Sequence, residues 1–175
     1  MITLDELQTL MPYGRERVGV YVDHLNDAMA EFEINTPMRE AAFLAQLAHE
    51  SGEFRYVQEL ASGESYEGRA DLGNTESGDG VRFKGRGLIQ ITGRANYRDC
   101  GSALGIDLVS EPHQLEQPGP ACRSAAWYWG NRGLNELADS GAFREITRRI
   151  NGGYNGYSDR LKYYNRAKQL LQLEA

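Results

Sequence analysis

The chain has 175 residues, 41% hydrophobic and 25% charged, enough for one domain with its own core and ordinary for a soluble globular protein. A net charge of −6 argues against a nucleic-acid binder, and no window approaches the ~18 continuous apolar residues of a membrane span. Cys100 and Cys122 are too few for a disulfide framework and fit no metal spacing, so they read as free thiols at helical positions.

In chain order, Met1 to Leu10 carries Asp5 and Glu6 but no basic residue, so it does not read as a secretory signal. A protein acting outside the cytoplasm would then need another means of release. Thr3 and Glu6 form a capping box for a first helix. Val18, Val22, Leu25, Met29 and Phe32 repeat in steps of three and four, which predicts one amphipathic helix. Thr36-Pro37 is an N-cap followed by proline at the first helical position. That helix runs through Ala41, Leu44, Ala45 and Ala48 and ends near Gly52, placing His49 and Glu50 at its C-terminal end. Residues 61–82 are glycine-rich and aperiodic, a long loop of the functional or mobile kind. FKGRGLIQIT at 83–92 predicts a short strand or hairpin, with Thr92 capping the next helix through Ala95, Tyr97 and Leu104. Pro118 and Pro120 mark a loop. Helices follow around residues 121–130, 134–138, 143–150 and 158–171. No repeat or linker interrupts the chain, which reads as one domain over 1–175, mainly α with a small β element.

Charge is uneven. Residues 1–67 hold thirteen acidic residues against four arginines, whereas 140–170 hold seven basic residues against Glu145 and Asp159. That basic C-terminal stretch is either a surface for an anionic polymer or a solvated helix face.

The pair His49-Glu50 lacks the second histidine of a zinc-protease helix, since that position is Glu53. His24 and His113 have no flanking ligands, so neither metal nor cofactor is expected. A carboxylate ending an apolar helix is either an exposed charge of the last turn or, where burial and the helix dipole favour its protonated form, a proton donor, which makes Glu50 a candidate general acid. Glycoside hydrolysis needs a second carboxylate, and Glu53, Glu59, Glu64 and Glu67 all follow; spacing does not choose among them. Glu59, at the edge of the long loop, has room to activate water. Lys84-Gly85-Arg86-Gly87 lacks the pattern of a phosphate loop and reads better as close backbone approach to an extended ligand, with Gln90 and Thr92 on one face. The loop from Asn151 through Tyr154 to Tyr157 offers amides and tyrosines suited to sugar hydroxyls and N-acetyl groups.

AHESGEF (48–54), the Glu59 segment, FKGRGLIQITGRANY (83–97) and INGGYNG (150–156) together resemble glycoside hydrolase family 19, which holds chitinases and phage endolysins. The resemblance implies a lysozyme-like helical fold and inverting hydrolysis of a β-1,4 link beside an N-acetylated sugar. It implies Glu50 as acid, Glu59 as base and Thr92 as the residue holding the nucleophilic water. It places Gln90, Asn96, Tyr97 and Asn151 at substrate, with His49, Lys84, Arg86 and Tyr154 beside them, and makes Arg160 a basic residue that orients a catalytic carboxylate. An inverting pair stands about 6.5–9.5 Å apart, and Glu59 is expected to swing outward without substrate.

The stretch SGESYEGRADLGNT (62–75) resembles the endolysin branch, and plant-type loops and disulfides are missing. The resemblance therefore implies a monomeric endolysin. It would be made in a host cytoplasm, pass a holin-type pore without inserting in the membrane, and cut peptidoglycan strands of a thin Gram-negative wall. The rivals are a chitinase, a lytic transglycosylase using Glu50 alone (Glu50-Ser51 and 87–90 echo that group), and a wall-binding protein without turnover.

Overall fold

A computed structural model describes residues 1–173. Its α-helices are α1 (Leu4–Leu10), α2 (Val22–Glu31), α3 (Pro37–Glu50), α4 (Asp79–Arg82), α5 (Arg94–Leu104), α6 (Pro118–Asn131), α7 (Leu134–Asp139), α8 (Phe143–Asn151) and α9 (Tyr157–Leu170). The fold is the mainly helical, lysozyme-like one that the sequence implies.

Helix α3 is the axis of the molecule. Glu40 to Ala48 are all buried, and its small residues Ala41, Ala42, Ala45 and Ala48 let neighbours approach closely. It packs along α9, while α2 lies against α6. Phe43 of α3 meets Trp129 of α6 edge to face, with ring centroids 5.3 Å apart. One buried apolar cluster runs from Ile2 to Ala167. Among the described residues, no helix is long and apolar enough to cross a membrane.

Local signals set several ends. Thr3 and Glu6 form the full capping box, and Thr36 caps α3 by accepting from the Arg39 N–H. Four expectations need correction. Val18 belongs to a separate 3-10 turn (Val18–Val20), so the amphipathic helix begins only at Val22. Thr92 does not cap α5; Gly93 stands at that N-cap without a side-chain bond. Pro118 and Pro120 lie in the first turn of α6, where a missing N–H costs nothing because no helical acceptor precedes it. The basic stretch is partly consumed inside the protein: Arg160 is buried, and Arg148 and Arg149 both pair with Glu145. The paired guanidiniums pull the half-buried Glu145 carboxyl down to about 2.

The β element shrinks to two antiparallel bridges, Gln58 with Arg86 and Arg86 with Ile91. Arg86 exchanges both main-chain bonds with Ile91, at 3.1 and 2.8 Å, closing a tight hairpin over 86–91. The long loop is neither open nor loose. It contains 3-10 turns at Glu64–Tyr66 and Ala70–Leu72 as well as α4. Arg94, at the start of α5, fastens it by pairing with buried Asp79 at 2.7 Å and with Glu76 at 2.6 Å. Cys100 and Cys122 are free, helical and buried, and burial pushes both thiols up to about 12.

Candidate active site

Glu50 is the last residue of α3, where the apolar face of the helix meets a groove. Its Oε1 is buried 2.6 Å from the Arg160 Nη2, an ion pair whose angles are not those of a hydrogen bond. Arg160 itself is 1% exposed. Its Nη1 donates to Gln46 Oε1 at 2.5 Å, and Gln46 Nε2 donates to Thr147 Oγ1 at 2.9 Å. The Thr147 hydroxyl proton goes to the Phe143 carbonyl. This bond fixes the sense of the whole chain: Thr147 must accept from the amide nitrogen, which leaves the amide oxygen for the guanidinium. Gln46 stands one helical turn before Glu50, so α3 supplies both the carboxylate and a clamp on its counter-ion.

Beyond Glu50 the chain reverses through three consecutive left-handed residues, Gly52, Glu53 and Phe54, with φ of +56°, +56° and +64°. Such geometry costs a side-chain-bearing residue about 1–2 kcal/mol. Buried contacts hold it. Glu53 accepts from the Gly14 N–H at 2.6 Å and from the Tyr163 hydroxyl at 2.7 Å, and Phe54 packs on Tyr21.

The turn delivers Glu59 to the far side of the groove. There Tyr66 donates to its Oε2 at 2.9 Å and the Gly85 N–H to its Oε1 at 3.0 Å. Both oxygens act as acceptors, which suits a base. Burial first, then the bond to Glu59, push the Tyr66 phenol up, so it stays a donor through neutral pH. Lys84 Nζ donates to the carbonyls of Glu59 and Ala61. At Gly85 a Cβ would stand 2.7 Å from Gln90 Oε1, so any side chain there would displace Gln90. Glu59 is thus held by hydrogen bonds at both carboxylate oxygens, facing the groove. The close approach foreseen at Gly85 is made by this chain's own Gln90 and Glu59.

Glu50 and Glu59 line one pocket of about 500 Å³ with Tyr56, Ile89, Gln90 and Tyr128. Gln90 and Tyr128 also line a second, more polar pocket of about 610 Å³, together with Thr92, Asn96, Trp127 and Asn131. The two shared residues make them neighbouring compartments of one groove. Of the four candidate partners for Glu50, Glu59 alone lines its pocket. Glu53 is buried in the turn, Glu64 is exposed, and Glu67 accepts from the Gly78 and Gly80 N–H groups.

The groove therefore gathers Glu50, Glu59, Gln90, Thr92 and Asn96, with Arg160 behind Glu50. Thr92 lies in the second compartment, and its carbonyl accepts from Asn96 Nδ2 at 2.7 Å. Arg86 and Tyr97, expected at substrate, are corrections: they are 3% and 0% exposed. Arg86 pairs with Glu116, donates to the Arg82 carbonyl and reaches the Tyr97 hydroxyl, which donates to the Lys84 carbonyl. They hold the hairpin from within. Lys84 is spent on main-chain carbonyls. His49 is also engaged elsewhere, its Nδ1 being 2.7 Å from Asp159 Oδ2. Asn151 braces its own loop by accepting from the Asn155 N–H at 3.1 Å, and Tyr154 carries Arg144 over its ring. Neither lines either compartment. Sequence reading missed Tyr56, Trp127, Tyr128 and Asn131. Trp127 and Asn131 are one turn apart on α6, a spacing that pairs a sugar-stacking ring with an amide.

A helical lysozyme-like fold whose groove sets two carboxylates among aromatic rings and amides is the site of a glycoside hydrolase. The family model described as chitinase class I matches residues 28–140. A Haemophilus influenzae protein named as containing a glycosyl hydrolase family 19 domain is 35% identical over 159 residues, covering 73% of this chain and 77% of that one. An Arabidopsis thaliana endochitinase is 40% identical over 114 residues, but only 38% of its length is covered against 65% of this chain. A bacterial family 19 chitinase superposes with a TM-score of 0.83 at 27% identity, over 99% of this chain and 96% of that one. Chitinase C from Streptomyces griseus gives 0.81 at 26%, over 98% and 76%. The chain belongs to glycoside hydrolase family 19.

Proposed function

We propose that the enzyme is an endolysin that hydrolyses the β-1,4 bond between N-acetylated sugars of peptidoglycan by inversion. The observation that carries the chemistry is that Glu50 and Glu59, alone among the acidic residues of this region, face one pocket. Glu50 keeps Oε1 against Arg160 and offers its other oxygen to the groove as proton donor to the leaving group. Glu59, fixed by Tyr66 and Gly85, takes a proton from water, and Thr92 in the adjoining compartment steadies that water. Inversion requires that water to fit between base and anomeric carbon. NMR of fresh digests should show the α anomer; a β anomer would overturn the mechanism. A reducing end, not an anhydro sugar, separates hydrolysis from transglycosylation.

Peptidoglycan as substrate is supported by the endolysin-like segment 62–75, which here is the brace that presents Tyr66 to Glu59. In this reading the monomeric enzyme reaches the wall from the cytoplasm through a holin-type pore. A chitinase is the second reading, favoured by the endochitinases and chitinases among the similar proteins. Side-by-side turnover of purified peptidoglycan and chitin oligosaccharides decides between them, and turnover of chitin alone would overturn the first.

A further inference from the structure

Nine of the sixteen arginines are ion-paired with carboxylates. Arg17, Arg82 and Arg166 donate to main-chain carbonyls. Among the described residues, Arg15, Arg55, Arg132 and Arg144 do neither, although the chain has 25 acidic residues to offer. Three of these four lie over tyrosine rings. The Arg132 guanidinium is 3.5 Å from the Tyr128 centroid, Arg144 is 4.6 Å from that of Tyr154, and Arg55 is 5.3 Å from that of Tyr56. Tyr56 and Tyr128 are tyrosines of the groove: Tyr56 stands in the carboxylate pocket, Tyr128 faces both compartments, and Arg132 itself lines the second.

Stacking occupies a face of the guanidinium and leaves its in-plane N–H donors at the edge. A guanidinium held against an aromatic ring and paired with no carboxylate of its own chain matches a carboxylate in charge and in the geometry of its donors. The acidic residue on the same wall does not fill it, because Asp99 is paired with Arg98. From this geometry we infer that Arg132, with Arg55 beside Tyr56 at the edge of the other compartment, reads the carboxylates of the short peptides borne by peptidoglycan strands. Chitin has no such groups. Every muramic acid carries a lactyl-linked peptide with free acids, so these guanidiniums separate the two polymers by charge at the groove rather than by the sugar backbone they share. The inference rests on the peptidoglycan reading of the active site.

The test uses R132Q, R55Q and the double variant on three substrates: peptide-bearing glycan strands, the same strands with their peptide carboxylates converted to amides, and chitin oligosaccharides. The ratio of kcat/KM on peptide-bearing to amidated strands should fall about tenfold in the double variant, about the worth of one hydrogen bond to a charged group. R132K, which keeps the charge but not the flat fork, should fall between. A ratio equal to that of the wild type overturns the inference, since a purely structural role would lower all rates together. If the wild type itself cuts chitin but neither kind of strand, the peptidoglycan reading fails and the sites fail with it. Cleavage of both strands with an unmoved ratio sinks the inference alone.

Discussion

The two sides of the groove are built in opposite ways. Glu50 stands on a regular helix that buries nine consecutive residues, and its counter-ion is set by a buried chain of side chains from three helices, α3, α8 and α9. Glu59 stands on irregular chain, where a phenol and a main-chain N–H hold its carboxylate and a lysine ties its carbonyl. One side is positioned by packing and the other by polar bonds to backbone. Rigidity at an active site thus does not require regular structure, provided every polar group in the irregular part has a partner.

Substitutions at the carboxylates break the comparison most severely. Glu50→Gln is nearly isosteric but has no proton to give, and loss of general acid catalysis should lower kcat roughly 10²–10⁴-fold in a protein that still folds but melts at a lower temperature, because the buried Arg160 loses its carboxylate. Glu59→Gln should be comparably inactive, whereas Glu64→Gln keeps wild-type turnover; the reverse result would assign the base to Glu64.

The supports come next. Gln46→Leu removes the clamp on Arg160 and frees the Glu50 carboxylate to shift. Misplacement of this kind lowers kcat by up to about 10²-fold with little change in KM. Tyr66→Phe removes one of two bonds to Glu59, and the Gly85 N–H remains, so about a tenfold loss is expected by steady-state kinetics. If Tyr66→Phe proves as damaging as Glu59→Gln, the loop side depends on one bond and not on a set.

Glu53 gives the smallest catalytic effect. Glu53→Gln weakens the bonds from Gly14 and Tyr163 and should lower stability by about 2 kcal/mol, seen in denaturant unfolding. The kcat of the folded fraction should stay near wild type, which distinguishes a carboxylate that shapes the turn from the two that line the groove.

This division also explains what could be read in the sequence. The α3 boundaries and the place of Glu50 rest on local signals: a threonine cap, a proline and a helical apolar period. The support of Glu59 rests on contacts up to 26 residues away, between Gly85 and Glu59, and no periodicity records them. Within 83–97 the motif marked the right segment but not the direction of its side chains. Gln90, Thr92 and Asn96 face the groove, while Arg86 and Tyr97 face inward. A motif shows that positions matter to a fold and its site together; only the packing shows which of the two each residue serves. The thiols were legible because two cysteines on apolar helices have little choice but burial. With pKa values pushed up to about 12, they should resist alkylation at pH 8 in the native protein and react on unfolding.

The left-handed turn at Gly52–Phe54 ties together distant stretches of chain. Gly14 holds it from near the start, and Tyr163 on α9 holds it from near the end, while Arg160 on the same helix pairs with Glu50. Both carboxylates precede α9 in the chain, yet the ion pair that sets Glu50 cannot form until α9 has packed along α3. The acid side of the groove therefore depends on a helix that lines neither compartment.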